Sequence, residues 1–243
     1  MSTSSFITEL AVNPASWAHH TSAHGPLALA QCRFSVDAYH DEAFVTHGIP
    51  QPDRLQRAVA KRRSEFLAGR VCAQHALAQL GTHGLAGSID KRRDPIWPVG
   101  YVGAITHSHG VAAALVGPQS HWQGIGLDVE HWIAPESARH LSSAILEPHE
   151  TALLSNDDAI FAKQLTLIFS AKESVFKALN PVTGTSFYFH DASLVALNEQ
   201  SLQLRLDCTL DGQWQAGALL TCHYAQHSAY VMTWLTITAP ALT

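Results

Sequence analysis

Charge is scarce in this sequence. Asp, Glu, Lys and Arg together make up 14% of its 243 residues, against 47% hydrophobic. That balance excludes an intrinsically disordered chain, and the length is enough for one large domain or two small ones around a sizeable core. A positive excess is also missing. The net charge of −5 excludes a nucleic-acid-binding surface on the scale of the whole chain, so any basic site must be local. Cysteine is sparse: Cys32, Cys72, Cys208 and Cys222 form no C-x-x-C pair and no zinc ligand set. They read as free thiols in a reducing compartment. No apolar run approaches the ~20 residues a membrane span needs. Met1 to Ala15 has no basic stretch followed by an apolar run, which argues against a secretory signal. Short repeats and low-complexity tracts are absent too. The expectation is a cytoplasmic protein with no membrane span.

What is present is a succession of helix and strand patterns. The first fifty residues read as loop and short strand, with an apolar run from Leu27 to Phe34 as an opening strand. From Asp53 to Leu80 the residues Leu55, Val59, Phe66, Ala73, Leu77 and Leu80 recur at helical spacing, with Asp53 as N-cap and Gly81 as the stop. A Gly-, Pro- and Arg-containing connector covers 84–100. Three strand-like runs follow, YVGAITHS, GVAAALVG and QGIGLDVE, divided at Gly110 and near Pro118. Pro135 to Asn156 looks helical with a break at Pro148. A second long helix is expected from Asp158 to Leu179, capped by Asp157 or Asp158 and stopped before Pro181. The remainder, SFYFHDASLVAL, SLQLRLDCTL, GALLTCHY and AYVMTWLTIT, is strand-like. Each half thus holds one long helix and several strands. This predicts an α+β protein of two lobes, 1–120 and 121–243, joined near Gly117 to Gln123.

Four short constellations carry chemistry. In Gly124-Ile125-Gly126-Leu127-Asp128-Val129-Glu130, strand alternation sends Ile125, Leu127 and Val129 into a core. The opposite face then bears Asp128, Glu130 and two glycines, with room for a ligand and charge for a cation. By pattern alone an edge strand with solvent-facing acids fits equally well. On the late helix Glu173 and Lys177 stand four apart on one face. Exposed pairs of that kind are common, but the dense apolar flanks here leave little of the helix for solvent. If Asp128, Glu130 and Glu173 converge, each pair repels by ~4 kcal/mol at 4 Å in an effective dielectric of 20. A divalent cation removes that penalty, and oxygen-only ligation suits Mg²⁺ or Mn²⁺ shared with substrate phosphates. Basic residues cluster at Lys61-Arg62-Arg63, at Arg70 and at Lys91-Arg92-Arg93, as phosphate contacts or as a solvated helix face. Finally, Thr106-His107-Ser108 ends a strand beside Gly110, where a histidine can reach an anion or serve the fold.

Taken in order, K-R-R-x-E-F-L-A-G-R, the W-P segment, I-T-H-S, G-I-G-L-D-V-E and F-S-A-K-E-S-V-F-K resemble the Sfp-type 4′-phosphopantetheinyl transferases, most closely their enterobactin-synthase component D branch. The resemblance is collinear over about residues 50 to 180. It implies two similar α+β lobes with pseudo-twofold symmetry, each a long helix on a small, mainly antiparallel sheet, with coenzyme A between them. It implies Mg²⁺ at Asp128, Glu130 and Glu173, and Lys177 on the pyrophosphate. His107 and Thr106 (a threonine where serine is usual) would contact the coenzyme A phosphates. Arg62 and Arg70 would serve the 3′-phosphate, and Lys91, Arg92 and Arg93 the adenine end. The implied reaction moves phosphopantetheine from coenzyme A to a serine of an apo acyl, peptidyl or aryl carrier protein. Glu173 is the expected base, and a monomer the expected state. Two rival readings use the same residues: a Mg²⁺-dependent hydrolase of coenzyme A or nucleotide pyrophosphates, and a coenzyme A-binding module without catalysis. No Nudix-type glutamate-rich helix supports the first. The intact set of three acids and Lys177 counts against the second.

Overall fold

The computed structural model describes residues 5–14, 25–84 and 94–240. It divides into two compact units, Met1–Gln123 with Thr238–Thr243, and Gly124–Ile237. Among the described residues no helix is long and apolar enough to cross a membrane, and all four cysteines are free thiols.

Unit 1 is one antiparallel sheet and one long helix. Strands β1 (Ile7–Val12), β2 (Ala28–Phe34), β3 (Tyr101–Ser108) and β4 (Val111–Pro118) pair in the order β1-β2-β4-β3. The β3–β4 turn is His109-Gly110, both at positive φ (40° and 82°), the geometry that suits a two-residue hairpin to the twist of its strands. A short helix α1 (Ala43–Thr46) precedes the long helix α2 (Ala60–Gln79), which packs on the sheet. Their interface is made of small residues, with Ala28, Ala30, Ala112 and Ala114 facing Ala68, Cys72, Ala73 and Ala76 in one buried cluster. A Cβ on Gly69 would stand 2.6 Å from Ile105, so this helix lies close to the sheet.

Two expectations about α2 need correction. Asp53 caps nothing. Residues Asp53–Leu55 form a single 3₁₀ turn and the helix proper starts after Val59. Leu55 is buried while Val59 is 71% exposed, so the two never shared a helix face. The stop at Gly81 is as expected, at φ 80°.

Unit 2 sets a five-stranded sheet under a longer helix. Strands β5 (Trp122–His131, entering from unit 1), β6 (Ala192–Leu197), β7 (Ser201–Leu206), β8 (Leu219–Gln226) and β9 (Tyr230–Thr238) lie in the order β5-β9-β8-β7-β6. Helices α3 (Pro135–Ile145) and α4 (Pro148–Thr151) are separated at the expected proline and lead to α5 (Asp158–Thr183). Asp157 caps α5 by accepting from the Ile160 N–H at 2.9 Å. The helix does not stop before Pro181. It runs on to Thr183 and ends at Gly184 in the left-handed region, φ 68°. So near the end the proline forfeits only one intrahelical bond. The run SFYFHDASLVAL is a strand only from Ala192. Before it, the Asp191 carboxylate accepts from the Tyr188 N–H at 2.7 Å and folds the segment into a turn. The α+β architecture, a long helix on a sheet in each half, is as the pattern predicts.

Candidate active site

In unit 2 the site begins with the packing of α5 on β5. Ile125, Leu127 and Val129 are buried, as the alternation requires. The other face is not open to a ligand at its glycines, and this corrects the expectation. A Cβ on Gly126 would run into the carbonyl oxygen of Ser174, and one on Gly124 would stand 2.6 Å from that of Ala178. The glycines admit the backbone of α5 against the strand. That close approach sets the side chains of Ser170 and Lys177 against Asp128.

Asp128 is 3% exposed and both its oxygens are held. Lys177 Nζ lies 2.7 Å from Oδ1, and Ser170 Oγ donates to Oδ2 at 2.8 Å. Glu173 is one turn of helix from Lys177. Burial pushes its carboxyl above the usual value, the Lys177 charge opposes that, and the Asp128 charge adds to it. Glu130 is half-buried further along the same strand face. Among the described residues no three His, Cys, Asp or Glu side chains gather closely enough to enclose a metal ion. In the protein alone Asp128, Glu130 and Glu173 do not make a closed ligand shell, and the charge that faces Asp128 is Lys177. The donors still suit a hard cation. A carboxylate whose charged form is disfavoured by burial and by a neighbouring acid is one that Mg²⁺ would relieve. Mg²⁺ needs only one or two carboxylates when waters and phosphates complete its shell.

A cavity of about 290 Å³ opens beside Glu173, lined by Phe176, Ser186, Phe187, Tyr188 and Phe189 among others. Sequence reasoning missed it because the alternating aromatics of SFYF resemble a strand. Another lysine of the same helix has a separate task. Lys172 Nζ is buried and binds Glu150 Oε2 at 2.9 Å and the Ile145 carbonyl at 2.7 Å. Glu150 also accepts from the Glu147 and Leu194 N–H groups, each at 2.7 Å. This knot ties the end of α3, α4 and β6 to α5.

In unit 1 a second group surrounds Glu65. Arg62 Nη1 approaches His107 Nε2 at 3.1 Å. A guanidinium can only donate, so Nε2 accepts and the ring proton sits on Nδ1, which faces Glu65 Oε2 at 3.8 Å. Lys61 and Arg62 lie 4.0 and 3.9 Å from the same carboxylate. Thr106 is buried at the neighbouring position of β3. Arg70 is 5% exposed with its guanidinium 4.7 Å from the Phe66 ring. Burial first, then repulsion from Arg54 and Arg62, lowers its pKa to about 10. The sequence does not mark Arg54, which belongs to no charge run, and gives Glu65 only as the acid of K-R-R-x-E-F-L-A-G-R. Lys91, Arg92 and Arg93 lie outside the described residues.

Comparison with known proteins decides between the readings these groups allow. Residues 51–117 match the model of the 4′-phosphopantetheinyl transferase N-terminal domain, and residues 124–234 that of the 4′-phosphopantetheinyl transferase superfamily. The chain belongs to the 4′-phosphopantetheinyl transferase superfamily. Among its relatives, enterobactin synthase component D of Salmonella typhi is 35% identical over 188 residues, 76% of this chain and 78% of that protein. The protein of the same name from Escherichia coli K12 is 33% identical over 180 residues, 74% and 84% of the two chains. The 4′-phosphopantetheinyl transferase Npt of Nocardia iowensis is 38% identical over 141 residues, 58% and 62%. This phosphopantetheinyl transferase is an enzyme that moves the phosphopantetheine arm of coenzyme A to a carrier protein. Neither the hydrolase nor the binding-module reading gains support.

Proposed function

We propose that the transfer chemistry is carried by Glu173 and Lys177 of unit 2, with Asp128, Glu130 and Glu173 holding a divalent cation, Mg²⁺ or Mn²⁺. Supporting this reading is one contact above all, the 2.7 Å ion pair of Lys177 with a nearly buried Asp128, set one helical turn from a carboxyl that burial makes more basic. The serine hydroxyl of the carrier attacks the β-phosphorus of coenzyme A. The bond from that phosphorus to the bridging oxygen breaks, and adenosine 3′,5′-bisphosphate leaves. Glu173 takes the serine proton. A carboxyl of raised pKa is the better acceptor, since a base works best when its pKa lies nearer the working pH. Lys177 donates to the phosphate oxygens as charge moves to the leaving group. The cation, when bound, would neutralise pyrophosphate charge. The cavity beside Glu173 offers an apolar seat for part of a reactant.

Unit 1 is the proposed coenzyme A phosphate side, through Arg62, Arg70, Thr106 and His107. The Arg70 guanidinium, disfavoured by burial and by two like charges, is one that an anion would stabilise. Lys91, Arg92 and Arg93 complete the proposed adenine contacts. The component D relatives favour carriers of siderophore synthesis of the enterobactin type. Polyketide, nonribosomal-peptide and fatty-acid carriers are the alternatives to assay beside them. The free thiols support a reducing, cytoplasmic setting.

The test is mass spectrometry of an apo carrier incubated with coenzyme A, Mg²⁺ and enzyme. Wild type adds one phosphopantetheine unit. Asp128→Ala should fall at least ~1,000-fold while keeping its fold by circular dichroism, since it removes a proposed cation ligand and the Lys177 partner together. Undiminished transfer by that variant would remove Asp128 from the chemistry.

A further inference from the structure

Behind Asp128 lies a run of hydroxyls that the reaction as described does not use. Ser170, Ser174 and Thr233 are each 0% exposed, the first two on α5 and the third on β9. Ser170 Oγ and Thr233 Oγ1 are 2.9 Å apart, and Thr233 Oγ1 and Ser174 Oγ 2.7 Å apart. The Ser174 hydroxyl also reaches the Thr233 carbonyl at 3.0 Å. Cys222 Sγ lies beside the same threonine and donates to the Trp234 carbonyl at 3.4 Å.

The direction of this chain follows from counting hydrogens. An ionised carboxylate only accepts, so the single hydrogen of Ser170 goes to Asp128 Oδ2. Ser170 Oγ must then accept from Thr233, whose single hydrogen is used in doing so. Thr233 Oγ1 must in turn accept from Ser174, whose one hydrogen it shares with the Thr233 carbonyl. The donors line up one way, Ser174 to Thr233 to Ser170 to Asp128, and in a buried setting each bond polarises the next. Ser174 is fixed because its own carbonyl oxygen packs where Gly126 lacks a side chain.

We propose that Thr233 is a positioning residue for the transfer reaction, the hub of a one-way hydroxyl chain that fixes the Asp128 carboxylate through Ser170. The Thr233 hydroxyl contacts those of Ser170 and Ser174. It acts by locking the orientation of Ser170, and so which Asp128 oxygen faces Lys177 and which faces Ser170. An outer partner of this kind sets how well a carboxylate presents itself to a cation and a phosphate, and its loss typically lowers metal affinity or activity 10- to 100-fold. The cation part of the argument rests on the metal reading above; the orientation of Asp128 does not.

The experiment compares wild type, Thr233→Val, Thr233→Ser and Ser174→Ala, all full-length. Two readouts are taken: carrier-transfer kinetics in Mg²⁺, and Mn²⁺ binding by electron paramagnetic resonance with coenzyme A present. Thr233→Val keeps the shape and removes the hydroxyl. It should lower kcat about 10-fold with KM for coenzyme A within about 2-fold of wild type, and weaken Mn²⁺ binding about 10-fold. Thr233→Ser, which restores the hydroxyl, should recover both to within about 2-fold. Ser174→Ala removes only the upstream donor and should show the same split at about 3-fold, which serves if the valine variant folds poorly. Wild-type kcat in Thr233→Val, or a Thr233→Ser variant as impaired as Thr233→Val, overturns the proposal. If wild type binds no Mn²⁺ while the kcat split and its rescue hold, the cation reading fails and the positioning of Asp128 stands.

Discussion

The charged groups of the two units are built in opposite ways. In unit 1 the contacts around Glu65 are long, from 3.8 to 4.0 Å, and like charges crowd together, Arg70 being held down partly by Arg54 and Arg62. In unit 2 the contacts are short and each holds a buried carboxylate, 2.7 Å for Lys177–Asp128 and 2.9 Å for Lys172–Glu150. A loose cationic group can rearrange around an anion that supplies the missing negative charge. A tight acid–lysine group keeps its geometry before any substrate arrives, which is what transition-state stabilisation requires. On the proposed function the difference would divide the labour, with affinity assigned to unit 1 and rate to unit 2.

The largest effect that would sharpen this division is on rate. Glu173→Gln should lower kcat by roughly 10²–10⁴-fold, the range for a positioned general base, with KM for coenzyme A nearly unchanged. A variant that instead raised KM alone would move Glu173 out of the chemistry and into binding. The next effect is on stability and separates two of the lysines of α5, Lys172 and Lys177. Lys172→Met leaves Glu150 buried and uncompensated. It should cost about 3–5 kcal/mol in urea unfolding, whereas Lys177→Met, at a more exposed pair, should cost much less and still abolish most transfer. Equal destabilisation by both would erase the distinction between a structural and a catalytic lysine. In unit 1, Arg62→Ala should raise KM for coenzyme A about 10-fold, or ~1.4 kcal/mol, and leave kcat within about 2-fold. A fall in kcat instead would break the assignment of affinity to that unit.

Much of this was legible in the sequence because it depends on period and spacing. The alternation in β5 and the cap at Asp157 are local rules, and the structure follows them. What was not legible depends on which backbones touch. Gly124 and Gly126 read as space for a ligand, yet that space holds the carbonyls of α5. Nothing in the sequence marks Ser170, Ser174 and Thr233 as a group, because they are brought together only when β9 is inserted beside β5. Lys172 and Lys177 look alike in F-S-A-K-E-S-V-F-K. The helix turns one toward a buried glutamate and the other toward Asp128.

The smallest effect is a change of sign in one variant. The Glu173 carboxyl is raised from its ordinary 4.5 chiefly by burial, which outweighs the Lys177 charge. A folded-state pKa above the unfolded value contributes stability that is full below the unfolded value and is lost as pH rises through the folded one. At pH 8, in chelator and without coenzyme A, the wild-type fold therefore holds a disfavoured carboxylate that Glu173→Gln does not. The inactive variant should melt at a higher temperature than the wild type, and the gap should close as pH falls toward 4. Adding Mg²⁺ with coenzyme A should reverse the order at pH 8, because only the wild type keeps the third proposed cation ligand and so gains the full linkage from the ion. A gap independent of pH would mean that burial does not tax the carboxylate. An order that ligands fail to reverse would mean the charge at Glu173 is not what the bound state uses.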